Sequence, residues 1–293
     1  GEFGNYELNL NYAYIEWSPV NEIKITGGKM KNPLYNPDQL LWDSDICFDG
    51  AVINSKYSIG DETKIDVYFN AGFFIIDYLG NASKNPYLAA LQGGLGSSIE
   101  EIADWKLMAG YLDFVHIQNS KATGLAPVTG SANSESTNTL KYYAHDYNVV
   151  EVSGEMTFHL LEQELPAPFN KPLTLFGDMA WNTSGETSGI DPDKDTAYQL
   201  GVNYGKSPKA LGEWNTGYNY VWFERNAFPD EFPNADMLRG GTNGYGHKIW
   251  LNVGLAKNWW LSGIYYALRD KSLTQPDNGD WGHIVQADVS VKF

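Results

Sequence analysis

The side chains here that could act as nucleophile, general base or metal ligand are five histidines, one cysteine and thirty-six carboxylates among 293 residues. Nucleophilic or acid–base catalysis needs a reactive group, a base and an orienting group within mutual reach. His116, His145, His159, His247 and His283 stand apart, and none lies in a Gly-x-Ser-x-Gly or comparable setting. Two acids suited to glycoside hydrolysis can always be found among so many, so their presence discriminates nothing. Cys47 is alone, which rules out an intrachain disulfide and the paired-cysteine metal motifs. Asp191-Pro-Asp-Lys-Asp195 approaches the spacing of a calcium loop but lacks its central Gly and terminal Glu. The expectation is no enzyme, no cofactor and no protein-built metal centre. One metal role remains open: a divalent cation held by acidic loops, at Asp38, Asp43, Asp45 and Asp49 or at 191–195, bridging to lipid phosphate.

The spacing does support the chemistry of a wetted wall. From Trp281 to Phe293 the chain alternates: Trp281, Val285, Ala287, Val289, Val291 and Phe293 share one parity, and Gln286, Asp288, Ser290 and Lys292 the other. Side chains of a strand point to opposite faces in turn, so one face is oily and one wet. Similar alternation recurs throughout. Strand one, at 5–17, opposes Tyr6, Leu8, Leu10, Tyr12 and Tyr14 to Asn5, Glu7, Asn9 and Asn11, and ends in a Ser18–Asn21 turn. Further strands are expected at 22–30, 49–59, 64–75, 86–96, 104–114, 148–162, 172–182, 196–206, 213–224, 246–256, 259–269 and 280–293. Segment 86–96 is Ala- and Leu-rich, but the glycines near its end oppose a helix.

The connections alternate between short (60–63, 207–212, 257–258) and long (31–48, 115–147, 183–195, 225–245, 270–279). That rhythm is the transmembrane antiparallel up-and-down β-barrel of an outer membrane, an all-β fold with short periplasmic turns and long outer loops. A formal charge of −16 with no basic cluster argues against nucleic acid. No apolar run reaches the roughly 18 residues of a membrane helix, a test that barrel strands escape. Single-chain bacterial barrels have even strand numbers, so about thirteen visible strands imply 14 or 16 in the full protein, with one or three preceding Gly1.

Tyr14-Ile-Glu-Trp-Ser-Pro19, Ile25-Thr-Gly-Gly-Lys-Met-Lys-Asn-Pro33 and Leu41-Trp-Asp-Ser-Asp45 resemble a group of bacterial putative porins. Tyr147-Asn-Val-Val-Glu151, Leu175-Phe-Gly-Asp178, Tyr218-Asn-Tyr220 and Gly244-Tyr-Gly-His-Lys248 look like later strands of the same family. The resemblance spans nearly the whole chain, apart from the family's N-terminal part. It implies an outer-membrane channel for small solutes and brings no catalytic residues.

In such a barrel the apolar parity meets lipid and the polar parity lines a water-filled pore. The expected lining is Glu7, Asn9, Asn11, Lys24, Lys64, Asp66, Asn70, Glu151, Glu155, Asp178, Gln199, Asn203, Asn215, Asn219, Lys248, Asn252, Gln286, Asp288 and Lys292. Mixed signs suit weak multi-site contact with passing solutes, and the acidic excess predicts a weak cation preference. Trp17, Trp259 and Trp260 near the short turns, and Trp42, Trp181 and Trp222 toward the loops, are expected to form membrane girdles. Phe293 is expected to be the terminal signal read by the barrel-insertion machinery. Outer-membrane lipid, lipopolysaccharide and a homotrimer complete the expected partners. The rival functions are a plugged structural or receptor barrel and a soluble carbohydrate-binding β protein. Either 31–48 or 76–85 could fold inward to narrow the pore.

Overall fold

The computed structural model describes residues 10–61, 64–76, 85–118, 134–138, 140–143, 145–184, 194–238, 241–270 and 281–292. Its strands are β1 (Ala13–Val20), β2 (Ile23–Lys31), β3 (Cys47–Ile59), β4 (Ile65–Ile75), β5 (Tyr87–Ile99), β6 (Ala103–Val115), β7 (Ser134–Asn138), β8 (Leu140–Tyr143), β9 (Asn148–Phe158), β10 (Leu173–Asn182), β11 (Thr196–Tyr204), β12 (Trp214–Phe223), β13 (Gly244–Ala256), β14 (Trp259–Asp270) and β15 (Gly282–Val291), with a helix α1 (Leu160–Glu164) after β9. Thirteen of them form one antiparallel sheet in chain order, while β7 and β8 make a separate ribbon inside the long 116–147 connection. Neighbours in the sequence are neighbours in the sheet, which is the up-and-down architecture. Among the described residues β1 and β15 are the two edges, and no pairing joins them. No helix among them is long and apolar enough to cross a membrane.

Register fixes the two faces. The rows Asn54–Asn70–Gln92–Gly110–Glu151 and Ser153–Asp178–Gln199 run across consecutive strands on one side. The alternate positions carry Ile53, Phe69, Leu91, Tyr111, Val152, Met179, Leu200, Ile249, Leu251 and Leu261, all large, apolar and exposed. A sheet with polar residues buried and hydrocarbon outside suits lipid as its outer solvent.

Several local expectations differ from the structure. The first strand runs to Val20, and its register sets Tyr14 opposite Gly28 and Glu16 opposite Thr26, so Tyr14 shares the polar face. The seventh expected strand stops at Phe158. His159 and Glu162 then close a helical turn through a backbone bond of 2.9 Å, which opens α1. Segment 86–96 is strand from Tyr87 onward, as part of β5. Short and long connections alternate between the two ends of the sheet, except that 159–172, at the short-turn end, is as extended as some loops opposite.

His159 ties α1 down. Its Nδ1 lies 2.6 Å from Glu162 Oε2 and its Nε2 2.9 Å from Asp104 Oδ2. The hydrogen bonds to Glu162 and Asp104 raise the imidazole pKa above its ordinary value. A raised folded-state pKa stabilises most below the unfolded value of about 6.5, and the contribution is lost as pH rises through the folded value. Limited proteolysis within 159–172 should therefore accelerate between near-neutral and mildly alkaline pH, and H159Q should flatten that dependence. An identical profile in H159Q would refute the assignment.

Candidate functional site

The loop joining β2 to β3, residues 32–46, turns into the interior, because it carries its own apolar cargo. Leu34, Leu40, Leu41 and Trp42 are each at most 5% exposed. Trp42 stands at the centre of an aromatic cluster, with ring centroids 4.9 Å from Phe48, 6.2 Å from Phe114, 5.1 Å from Phe228 and 5.4 Å from Phe232. Phe228 and Phe232 come from the 224–243 connection, so the two loops pack on each other at the long-loop end. Polar bonds lock them: the Asp43 N–H donates to the Phe232 carbonyl at 2.8 Å, the Ala235 N–H to Asp43 Oδ2 at 2.7 Å, and Asn234 Nδ2 to Gln39 Oε1 at 2.6 Å. Trp42 was expected in the outer girdle. Its place in the interior is a correction, which follows from the loop folding inward and carrying the indole with it.

Below the aromatic cluster the inner wall is polar. Asn54 donates to Asn70 at 2.8 Å, Asn70 to Gln92 at 3.0 Å, and Gln92 to Glu151. The loop hangs from this row. Tyr35 N–H donates to Gln92 Oε1 at 2.8 Å, the Tyr35 carbonyl accepts from Gln92 Nε2 at 3.1 Å, and the Pro33 carbonyl accepts from Asn54 at 3.1 Å. Lys106 Nζ sits 4.0 Å from the Tyr35 ring centre and 4.2 Å from that of Tyr68, a cation between two π faces. Burial, then the Glu155 carboxylate nearby, pushes the Tyr35 phenol well above its ordinary pKa, so it stays neutral.

The far wall holds the other end of the loop. Asn219 Nδ2 donates to Asp38 Oδ2 at 2.6 Å and to Gln199 Oε1 at 2.9 Å, and Lys248 Nζ lies 3.9 Å from Asp38 Oδ1. Residues 32–46 thus cross the interior from β3–β6 to β12–β13. A cavity of about 390 Å³ beside the loop is lined by Tyr12, Tyr14, Glu16, Lys24, Asn32 and Asn54 among others. Of the two segments expected to narrow the pore, 31–48 folds inward over 32–46, while 77–84 of the other lie outside the described residues.

The remaining expected lining residues fall as follows. Lys24 pairs with Glu16 at 3.0 Å, and Asp66 with Lys56 at 2.8 Å. Asn203, Asn215 and Asn252 form a second amide row, with bonds of 3.2 and 2.7 Å. Gln286 and Asp288 share the polar parity of β15, opposite Ile264 and Ser262. Asn11, Lys64 and Lys292 are exposed just outside strands. Glu7, Asn9 and Phe293 lie outside the described residues, as does 191–193 of the second acidic loop. Sequence reasoning passed over Asn54, Gln92 and Lys106. Their strands carry small or apolar neighbours on the same face, such as Val52, Ala90 and Met108, so no polar phase marked them.

Trp17, Trp181, Trp222 and Trp259 lie on the outer face, with Trp222 stacked between Tyr198 and Tyr245 at 6.5 and 5.5 Å. Trp260 does not join them. It pairs with Ser290 on the inner parity, because adjacent strand residues cannot face the same way.

An antiparallel up-and-down sheet that is oily outside and polar within, narrowed by an inward loop, defines the class of β-barrel porins. Comparison with protein families agrees with that class. A family model described as "Putative porin" matches residues 1–164 and 144–293, and the chain belongs to that family. It is thus a porin-like channel in its general kind. A search of curated proteins found no match to the chain.

Proposed function

We propose that the chain forms a water-filled channel in the bacterial outer membrane for passive diffusion of small hydrophilic solutes and ions, with a weak preference for cations. The observation that carries this reading is the polar inner wall, Asn54 through Glu151 and Gln199 through Lys248, running beside the inward loop and opposite an apolar outer face. Part of that face is open to solvent, at the Lys24–Glu16 and Lys56–Asp66 pairs, and paired charges of both signs exchange contacts with water and passing solutes at little cost, which favours conduction over tight binding. Lipid and lipopolysaccharide meet the outer face in this reading, the insertion machinery reads the C-terminal strand, and long loops face outward. A homotrimer fits the same role.

The aromatic cluster favours a second reading. Trp42, Phe114, Phe228 and Phe232 are packed as a core rather than parted as a mouth, which suits a barrel closed at its long-loop end. Planar-bilayer recording of the purified protein separates the two. Discrete open steps, and a reversal potential in a KCl gradient toward the cation side, are expected of the channel. Silence in folded protein would establish the plugged barrel, and anion preference would remove the selectivity claim.

A further inference from the structure

The cavity beside the inward loop has a chemistry of its own. It encloses about 390 Å³ and takes its walls from the inner face of β1 and β2 and from the loop's first residues, Asn32 and Pro33. Pockets of this volume hold a small organic ligand. Three charged side chains border it: Glu16, Lys24 and Lys31. Glu16 and Lys24 are half-exposed and pair at 3.0 Å. Lys31 is exposed, its Nζ lies 5.5 Å from the centre of the Tyr12 ring, and no carboxylate among the described residues stands within ion-pair distance of it. Water reaches all three groups, so burial does not oppose their charges, and the lining carries a surplus of one positive charge.

A second observation concerns which polar atoms are left for a ligand. Asn54 gives its amide hydrogens to the Asn70 side chain and the Pro33 carbonyl, and Asn32 Oδ1 accepts the Leu34 N–H at 3.0 Å, so both amides are engaged in holding the loop. Tyr12 and Tyr14 are 39% and 48% exposed, and their hydroxyls have no hydrogen-bond partner among the described residues. A phenol both donates and accepts, and its ring offers an apolar face. The cavity thus presents one ammonium without a carboxylate, two available hydroxyls and an aromatic surface. A cation would meet the surplus positive charge, and a wholly apolar ligand would strand the hydroxyls.

We propose that this cavity is a solute seat for a small carboxylate rich in hydroxyls, of the size of a hexuronic acid. The carboxylate pairs with the Lys31 ammonium, the solute's hydroxyls exchange hydrogen bonds with Tyr12 and Tyr14, and the Tyr14 ring covers a C–H face. The charged partners are open to water, so the solute is held weakly enough to leave, as passage requires. The inference rests on the channel reading for its use in transport, while the binding itself does not need conduction. Cation preference belongs to the chain as a whole, with its formal charge of −16, and the seat is a local exception beside one end of the loop.

Saturation-transfer NMR on full-length protein, folded in detergent, tests it with sodium glucuronate as the probe and glucose as the uncharged comparison. Glucuronate should bind saturably and about fivefold more tightly than glucose, and Lys31→Gln should remove that difference. Glu16→Gln, which leaves Lys24 without its partner, should tighten glucuronate binding about twofold. Lys257→Gln, at an exposed short turn, should leave it unchanged. Heat-modifiable gel mobility identifies which variants are folded. Weaker binding in E16Q would mean that the solute offers a cation to Glu16, and would overturn the seat. Equal affinity for glucose and glucuronate, or for glucuronate in wild type and folded K31Q, would overturn it too. In planar bilayers glucuronate should reduce wild-type current more than K31Q current. Open steps without saturable binding defeat this inference alone, while binding without open steps defeats the channel reading alone.

Discussion

Replacing residues 35–39 by a short Gly-Ser linker should raise single-channel conductance by roughly threefold, since current through a wet pore follows its open cross-section. The deletion removes Tyr35, which hangs from Gln92, and Asp38, which reaches Asn219. It leaves Leu40, Leu41 and Trp42 to anchor the rest of the loop in the aromatic cluster. Cation preference should weaken with the loss of Asp38. Unchanged conductance in a folded variant would mean that the loop does not border the ion path.

Trp42→Ala carries the largest expected effect on stability. The indole is 2% exposed and touches four aromatic rings from three separate parts of the chain. Truncating a buried Trp costs about 3–5 kcal/mol, through lost transfer energy and the cavity left behind. The thirteen strands are held by their own ladder, so the loss should fall on the two loops. Proteolysis within 224–243 should become rapid while the heat-modifiable barrel band persists. Protection of 224–243 equal to the wild type would show that the loop is held by the Asp43 bonds instead.

Much of the fold was legible because the sheet has two solvents. Where one face meets hydrocarbon and the other water, as over 65–72 of β4, 150–157 of β9 and 285–291 of β15, alternation in the sequence is strict, and strand, face and neighbour order follow from it. Legibility failed where the interior is not wet. Phe48, Phe74, Leu88, Leu112 and Phe114 point inward toward the aromatic cluster, so both parities of their strands are apolar at the long-loop end. The inward path of 32–46 was one of two alternatives for the same reason. A polar-looking loop gives no sign that its Leu40-Leu41-Trp42 is destined for rings that lie far along the chain. Gln92 and Asn54 show the converse: single polar residues among small ones carry the loop's tethers, yet neither stands out without the strand register.

The crossing loop also has a place in time. Its hydrogen bonds to one wall are closer along the chain, Asn54 with Pro33 at a separation of 21 and Tyr35 with Gln92 at 57. Those on the other wall are remote: Asp38 with Asn219 at 181 and Gln39 with Asn234 at 195. Contacts of such long range wait until the intervening chain is in place. The far-wall contacts of the loop therefore set later than the near-wall ones, and a half-assembled sheet has a loop moored at one end only. Assembly itself then carries a quality check: until β12 and β13 arrive to receive Asp38, the passage has no finished bore.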